Sequence, residues 1–232
     1  MKQLSMKPFL LLLCFALTAP VAFAETRDLH FTGFTGVSVG WGIEVDITQG
    51  PDHRVQVIGD SRDLDELKVE KEGDVLVFSH ESRRGWRRHD KLRVNIVMPT
   101  LKSLDLSGGV EGQLSMDAGS ETFSGELSGG SELNGQLRCG DLKLSLSGGA
   151  ELHLAGQGGN VYIDGSGGAE CDLKEFKVAD VTSELSGGST ATVNMNGVLN
   201  ANQSGGSQII YFGSATVGRS SSSGGSGIRK GN

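Results

Sequence analysis

The sequence predicts an all-β protein: a single-stranded parallel β-helix, or β-solenoid, of about six coils of 19–20 residues with a β-rich N-terminal cap. Two observations lead to this prediction. The tripeptide Ser-Gly-Gly recurs seven times at nearly constant spacing, and apolar residues alternate with polar ones before and after it. A unit this short cannot bury its own apolar face, so successive units must stack on one another.

Residues 1–24 are predicted to be a signal peptide. Met1–Lys7 carries two lysines and no acid, Phe9–Leu17 is apolar, and Ala22–Ala24 has the small-residue pattern of a cleavage site. We therefore expect cleavage after Ala24 and export to the periplasm or the cell surface. No later segment approaches 18 consecutive apolar residues, so the mature chain is predicted to have no transmembrane segment.

The composition of the mature chain restricts its partners and its covalent chemistry. Removal of Lys2 and Lys7 with the signal peptide leaves 19 basic and 28 acidic residues, a net charge of −9. This acidic balance argues against nucleic acid as a partner. Cys139 and Cys171 fall at different phases of the repeat. We predict that both are small buried residues, with a disulfide between them as the alternative in an oxidising compartment.

The N-terminal part of the mature chain, residues 25–100, lacks the repeat but is rich in predicted strands. Turn signals such as Gln49–Asp52 and Glu72–Asp74 separate these strands. The strands are predicted at Thr35–Val39, Ile43–Thr48, Arg54–Ile58, Leu67–Glu70, Val75–Ser79 and Leu92–Val97. The segment is either a small β-domain or the irregular first coils of the solenoid, and in both cases it would shield the open edge of the stack.

The solenoid itself is predicted over residues 101–219. Its corners begin at Ser107, Ser128, Ser147, Ser166, Ser186, Ser204 and Ser223. Apolar residues one, three and five positions before most of these serines, and five and seven after, predict a strand on each side of the corner. Glycine suits a corner where the chain bends sharply. Leu106, Leu127 and Leu146 should therefore superpose along one axis, and residues 220–232, with little to bury, are predicted to be a flexible tail.

The order of the apolar segments resembles a known family, the putative auto-transporter adhesin head domain or GIN domain, a domain of unknown function. The resemblance spans roughly residues 30–225. It rests on Phe34–Val37, Ile43–Val45, Val55–Val57, Leu76–Phe78 and Val94–Pro99, followed by Leu101 and Leu104 before the first Ser-Gly-Gly. It implies a β-helical fold and an envelope or surface location, and it brings no catalytic residues.

Acidic residues recur at two fixed phases of the repeat. Glutamates stand four residues after a corner serine, and acids stand two residues before it. Both positions alternate with inward leucines, so they should form two outward carboxylate ladders beside the corner. Their members are Glu111, Glu132, Glu151 and Glu170 after the serine, and Asp105, Glu126, Asp164 and Glu184 before it. We interpret the ladders as a solvated acidic face with no cofactor; the alternative is that they bind calcium, which prefers carboxylate oxygens.

A basic segment separates the last two predicted strands of the N-terminal part. It reads Arg83-Arg84-Gly85-Trp86-Arg87-Arg88-His89-Asp90-Lys91. Cations around a tryptophan could bind an anionic polymer through charge and stacking, with Arg83, Arg84, Trp86, Arg87 and Arg88 as the ligand-binding residues. A solvated hairpin loop, or one that meets the protein's own acidic ladders, is the alternative.

These features predict a non-enzymatic envelope or cell-surface module that is adhesive in character. The alternative is a periplasmic binding module for an anionic or calcium-bridged polymer. A polysaccharide lyase is a third hypothesis. Asp164–Gly168 resembles a nucleophile loop in composition, but it is one of seven corner copies. The predicted partners are an envelope polysaccharide or a surface protein. The adhesive reading depends on the family resemblance, because fold alone does not specify function.

Overall fold

The structure, a computed structural model, describes residues 24–80 and 92–232. This part of the chain contains 21 strands and one short helix, α1 Ser61–Glu66. The strands are β1 Glu25–Leu29, β2 Gly36–Gly40, β3 Glu44–Gln49, β4 Arg54–Gly59, β5 Leu67–Glu72, β6 Val75–His80, β7 Arg93–Met98, β8 Ser103–Ser107, β9 Glu111–Asp117, β10 Phe123–Ser128, β11 Glu132–Arg138, β12 Leu142–Leu146, β13 Glu151–Gln157, β14 Val161–Gly165, β15 Glu170–Val178, β16 Val181–Leu185, β17 Thr190–Met195, β18 Val198–Gln203, β19 Gln208–Gly213, β20 Thr216–Ser222 and β21 Gly227–Lys230.

The strands form two sheets that run the length of the stack. Sheet A has the order β1-β4-β7-β3-β9-β11-β13-β15-β17-β19-β21, and sheet B has the order β20-β18-β16-β14-β12-β10-β8-β2-β6-β5. Each Ser-Gly-Gly corner ends a strand of sheet B and leads into a strand of sheet A. From β8 to β21, each strand pairs in parallel with its equivalent one coil away, so the predicted β-solenoid is confirmed.

The inward residues superpose as the repeat requires. Leu127 pairs in register with Leu106 on one side and Leu146 on the other, and all three side chains are at most 2% exposed. On the opposite sheet, Leu133 pairs with Leu152 in the same way. These ladders fuse into one apolar core that extends from Phe34 to Ile209. Burial of this shared interior supplies the main stabilisation of the stack.

A buried serine hydroxyl closes several of the corners. Ser131, Ser189, Ser207 and Ser226 each follow a corner serine by three residues. Ser207 Oγ lies 3.1 Å from the carbonyl oxygen of Leu185 in the preceding coil and 3.0 Å from that of Ser204. The hydroxyl is therefore a second donor to the Leu185 carbonyl, which also accepts a 2.9 Å hydrogen bond from the backbone N–H of Ser204.

The N-terminal segment is continuous with the solenoid and does not form a separate sheet. Strands β2 and β3 make one coil, because they pair in parallel with β8 and β9 of the first Ser-Gly-Gly coil. Strands β6 and β7 make a further coil on the other side of β2 and β3. All six strands predicted between Thr35 and Val97 are present within a few residues of their predicted bounds.

An antiparallel cap covers the N-terminal end of the stack. Strand β5 pairs antiparallel with β6, β4 pairs antiparallel with β7, and β1 covers the outer side of β4. Neither β1 nor α1 was predicted from the sequence. Asp60 begins the helix, because its side chain accepts a hydrogen bond of 2.8 Å from the backbone N–H of Arg62. The edge strands β1 and β5 carry charged side chains, which discourages pairing with other chains.

The C-terminal residues differ from the predicted flexible tail at 220–232. Strand β20 runs to Ser222 and pairs with β18, and β21 covers Gly227–Lys230 and pairs with β19. All seven residues of β20 are exposed, as their serine-rich sequence requires. The backbone ladder thus continues for one coil beyond the apolar core, because a strand can pair through its backbone with little side-chain burial.

Both cysteines are buried and free, so the structure contains the first of the two predicted arrangements. Burial raises the pKa of the Cys139 thiol from its ordinary value of 9.0 to about 11, and burial raises the pKa of Cys171 as well. A thiol with a raised pKa stays protonated in the folded chain at pH values where the unfolded chain ionises. Its contribution to stability is therefore full below pH 9 and is lost as the pH rises through the folded pKa.

This linkage predicts a difference between the native chain and a Cys139→Ala/Cys171→Ala variant. Between pH 8 and pH 10, the urea midpoint of the native chain should fall more than that of the variant. Urea unfolding of both at the two pH values checks this. The same fall in both chains would contradict the buried thiols, and a change in melting temperature on adding a reductant would contradict their free state.

Candidate functional site

The predicted glutamate ladder is present on the outer face of sheet A. Glu111, Glu132, Glu151 and Glu170 pair in register on successive strands. The row has a fifth member that the sequence analysis missed, because Glu44 pairs with Glu111. Glu44 follows Gly40-Trp41-Gly42, which takes the place of Ser-Gly-Gly in that coil, so a search for the tripeptide does not find it.

The second predicted ladder, on sheet B, is divided into two pairs. Glu126 pairs with Asp105, and Glu184 pairs with Asp164, but Ser145 stands between Glu126 and Asp164. The Ser38 hydroxyl donates a 3.0 Å hydrogen bond to Asp105. We call the stacked corners, with the carboxylate row on either side, the corner edge.

The carboxylates of the corner edge do not converge on a metal site. Among residues 24–80 and 92–232, no group of three or more His, Cys, Asp or Glu side chains could hold a metal ion. Protein donors meet some of the charge instead. Arg93 pairs with Glu44 at 2.8 Å, and the Asn134 amide donates a 2.5 Å hydrogen bond to Glu132. The alternative that the ladders bind calcium therefore gains no support from the geometry of these residues.

The predicted ligand-binding residues Arg83, Arg84, Trp86, Arg87 and Arg88 lie outside the described residues. The strands that precede and follow them, β6 and β7, pair with β2 and β3. Strand β6 therefore ends in sheet B, and strand β7 begins in sheet A, both next to the coil whose corner contains Trp41.

Trp41 is the unusual residue of the corner edge. Among the described residues it is the sole non-glycine with a positive φ, +69°, and its side chain is 66% exposed. Its backbone N–H donates a 3.2 Å hydrogen bond to the carbonyl oxygen of Ser107, which holds it in the corner stack. The equivalent residues of the next seven coils are glycines with φ between +64° and +73°: Gly108, Gly129, Gly148, Gly167, Gly187, Gly205 and Gly224.

A second surface lies at the opposite margin of sheet A, where each coil returns to sheet B. Two adjoining hollows of about 650 Å³ each share Arg138, Gln157 and Lys177. These side chains are outward and in register on β11, β13 and β15, and Asp117 precedes them on β9. We call this surface the return groove. The sequence analysis did not single it out.

The outer face of sheet A is therefore electrostatically polarised. Five glutamates line its corner margin, whereas Arg138 and Lys177 stand at its return margin. Arg138 lies 4.0 Å from Asp117, and both side chains are at least half exposed. A charged polymer approaching this face would meet opposite signs at the two margins, so its charge would decide where it lies.

Comparison with solved structures shows the same fold in several bacterial proteins. A putative adhesin from Bacteroides fragilis is similar with a TM-score of 0.83 at 21% identity, over 91% of this chain and 98% of that one. A putative adhesin from Parabacteroides merdae gives 0.72 at 16% identity, over 90% and 96%. A putative lipid binding protein from Parabacteroides distasonis gives 0.69 at 16% identity, over 90% and 97%. Comparison with curated proteins yields no match.

The described residues contain no helix with the length and apolar character needed to cross a membrane. The family described as putative auto-transporter adhesin, head GIN domain, matches residues 33–215. That range begins just before β2, contains both carboxylate rows and the return groove, and ends before β20. The match confirms the resemblance found in the sequence: the chain belongs to this GIN-domain family.

Proposed function

We propose that the chain is a non-enzymatic exported module that attaches to a partner at the envelope or cell surface through its corner edge. The exposed Trp41 carries this proposal. An L-residue in the left-handed region costs about 1–2 kcal/mol, and glycine avoids that cost in the next seven coils. A strained residue that burial does not explain is a reason to infer a functional role.

The residues beside Trp41 suit a partner with two properties. It has a group that packs against an aromatic ring, and next to that group it has hydrogen-bond donors or positive charge. Tryptophan is enriched among the residues that dominate binding energy at interfaces. Glu44 and Glu111 lie in the coil of Trp41 and in the next coil. A carboxylate has several acceptor positions, so Glu44 can accept a further hydrogen bond from a hydroxyl or cationic group while it stays paired with Arg93. The exposed corner of the next coil consists of glycines, so a partner can approach the backbone there closely.

The structural relatives named as adhesins support attachment as the role, and the predicted signal peptide supports export to the periplasm or the cell surface. A periplasmic binding module for an anionic polymer remains the second proposal. The basic segment containing Arg83, Arg84, Trp86, Arg87 and Arg88 and the cations of the return groove favour it.

Replacement of Trp41 by glycine should abolish attachment without loss of stability. Glycine relieves the strain at φ +69°, and its own flexibility offsets part of that gain, so the free energy of unfolding should change by no more than about 1 kcal/mol. Co-sedimentation of the purified mature chain with isolated cell envelopes measures attachment, and urea unfolding measures stability.

The matched control is Val198→Ser, because Val198 is 40% exposed on the opposite half of the stack and its loss removes apolar surface away from Trp41. Val198→Ser should sediment with envelopes as the native chain does. Undiminished sedimentation of Trp41→Gly would show that the corner edge is not the attachment surface.

A further inference from the structure

The return groove presents a regular series of polar side chains along the solenoid axis. Asp117, Arg138, Gln157, Lys177 and Asn194 pair in register on five successive strands of sheet A. Neighbouring strands lie about 4.8 Å apart, so the series spans about 19 Å. A polymeric ligand that lies across the strands would therefore contact one polar side chain on each strand.

Two glycines, Gly156 and Gly158, line the groove. Gly156 has φ +134°, and a Cβ at this residue would clash with the carbonyl oxygen of Leu137. A Cβ at Gly158 would lie 3.0 Å from the buried Phe176 ring. The stacked coils therefore require glycine at both positions, and the backbone of Gly156 is exposed between the polar groups.

The cations of the groove are available to a ligand. Lys177 is exposed, and no residue of the described part of the chain forms an ion pair with it. Arg138 has Asp117 at 4.0 Å, an exposed contact of the kind that contributes little to stability. Because glutamates line the corner margin of sheet A, an anionic ligand on this face would bind at the return margin, where Arg138 and Lys177 lie.

The other lining groups suit a polysaccharide better than a peptide. The amides of Gln136, Gln157 and Asn196 can each donate and accept hydrogen bonds, as sugar hydroxyls do. The groove is open and shallow, so it would enclose little of a peptide's side chains. The strand spacing of about 4.8 Å is also close to the length of one pyranose residue along a polysaccharide.

We propose that the return groove binds an acidic polysaccharide that carries a carboxylate on every second sugar and runs along the solenoid axis. Arg138 and Lys177 lie two strands apart, about 9.6 Å, which is the length of one disaccharide. Each cation would bind one carboxylate, and Gln157 would bind the uncharged sugar between them. This site is separate from the corner edge and does not depend on Trp41.

Titration calorimetry with a hyaluronan octasaccharide tests the proposal, because hyaluronan has one carboxylate in each disaccharide. A chitin oligosaccharide of similar length is the uncharged probe. Hyaluronan should bind and chitin should not, and the Arg138→Ser/Lys177→Ser variant should raise the dissociation constant for hyaluronan about tenfold. Lys143→Ser removes an exposed cation from sheet B and should leave the dissociation constant unchanged.

The proposal would be overturned if hyaluronan did not bind, if both probes bound equally, or if Lys143→Ser lost as much affinity as the double variant. A polygalacturonate probe, with a carboxylate on every sugar, tests the spacing. Tighter binding of polygalacturonate than of hyaluronan would contradict the proposed carboxylate on every second sugar. None of these results bears on the corner edge, because envelope attachment is measured separately with Trp41→Gly.

Discussion

Valine in place of Gly167 is expected to lower the free energy of unfolding by about 2–5 kcal/mol. Gly167 has φ +73°, and a Cβ there would lie 2.8 Å from the carbonyl oxygen of Gly148 and 3.3 Å from its Cα. The left-handed backbone costs a side chain about 1–2 kcal/mol, and overpacking against the neighbouring coil adds about 1–3 kcal/mol. Urea unfolding of the variant measures the loss.

The adjacent glycine provides the control for this substitution. Gly168 has no positive φ, and a Cβ there would lie 3.7 Å from the carbonyl oxygen of Gly148, an ordinary contact. Gly168→Val should therefore change the free energy of unfolding by no more than about 0.5 kcal/mol. Equal losses in the two variants would mean that the stacked corner does not impose the requirement for glycine.

Leucine in place of Gln203 should raise the free energy of unfolding by about 1–3 kcal/mol. Gln203 is 2% exposed, and neither its Nε2 nor its Oε1 has a hydrogen-bond partner within the described ranges. It points inward beside Leu185, in the row that Leu106, Leu127 and Leu146 occupy in earlier coils. Burial of an unpaired amide carries a desolvation cost of this size, and leucine removes it while keeping a similar volume.

Gln208→Leu is the matched control, because Gln208 is an exposed glutamine on the adjacent sheet A strand. This change should alter the free energy of unfolding by no more than about 0.5 kcal/mol. Unchanged or reduced stability in Gln203→Leu, measured by urea unfolding beside this control, would contradict an unsatisfied amide in the core.

The solenoid could be predicted because its repeat has a fixed phase. Leu106, Leu127 and Leu146 recur one residue before a corner serine, and a parallel stack is what brings such positions into one ladder. The same reasoning predicted the glutamate ladder, because outward residues recur at fixed positions of the repeat just as inward residues do. Glu44 was not predicted as a member of the ladder, because its coil has Gly-Trp-Gly in place of Ser-Gly-Gly.

The N-terminal topology was harder to predict, although its strands were found. Strands β2 and β3 lie between two coils that are distant in sequence, β6–β7 on one side and β8–β9 on the other. No repeat marks these pairings, so the pattern of apolar residues indicated strands without indicating their neighbours. The last coil was missed for a different reason: all residues of β20 are exposed, so its backbone pairing is not accompanied by alternating apolar residues.

Period and phase in the amino-acid sequence were enough to establish the coil, the inward leucines and the outward carboxylates, because each copy places its side chains by the alternation of a strand. The strain at Trp41, the unpaired amide of Gln203 and the return groove became visible with the three-dimensional stack. Each depends on a contact between different coils or on the conformation of a single backbone residue. Such properties arise from tertiary pairing, and residue identity along one chain does not specify them.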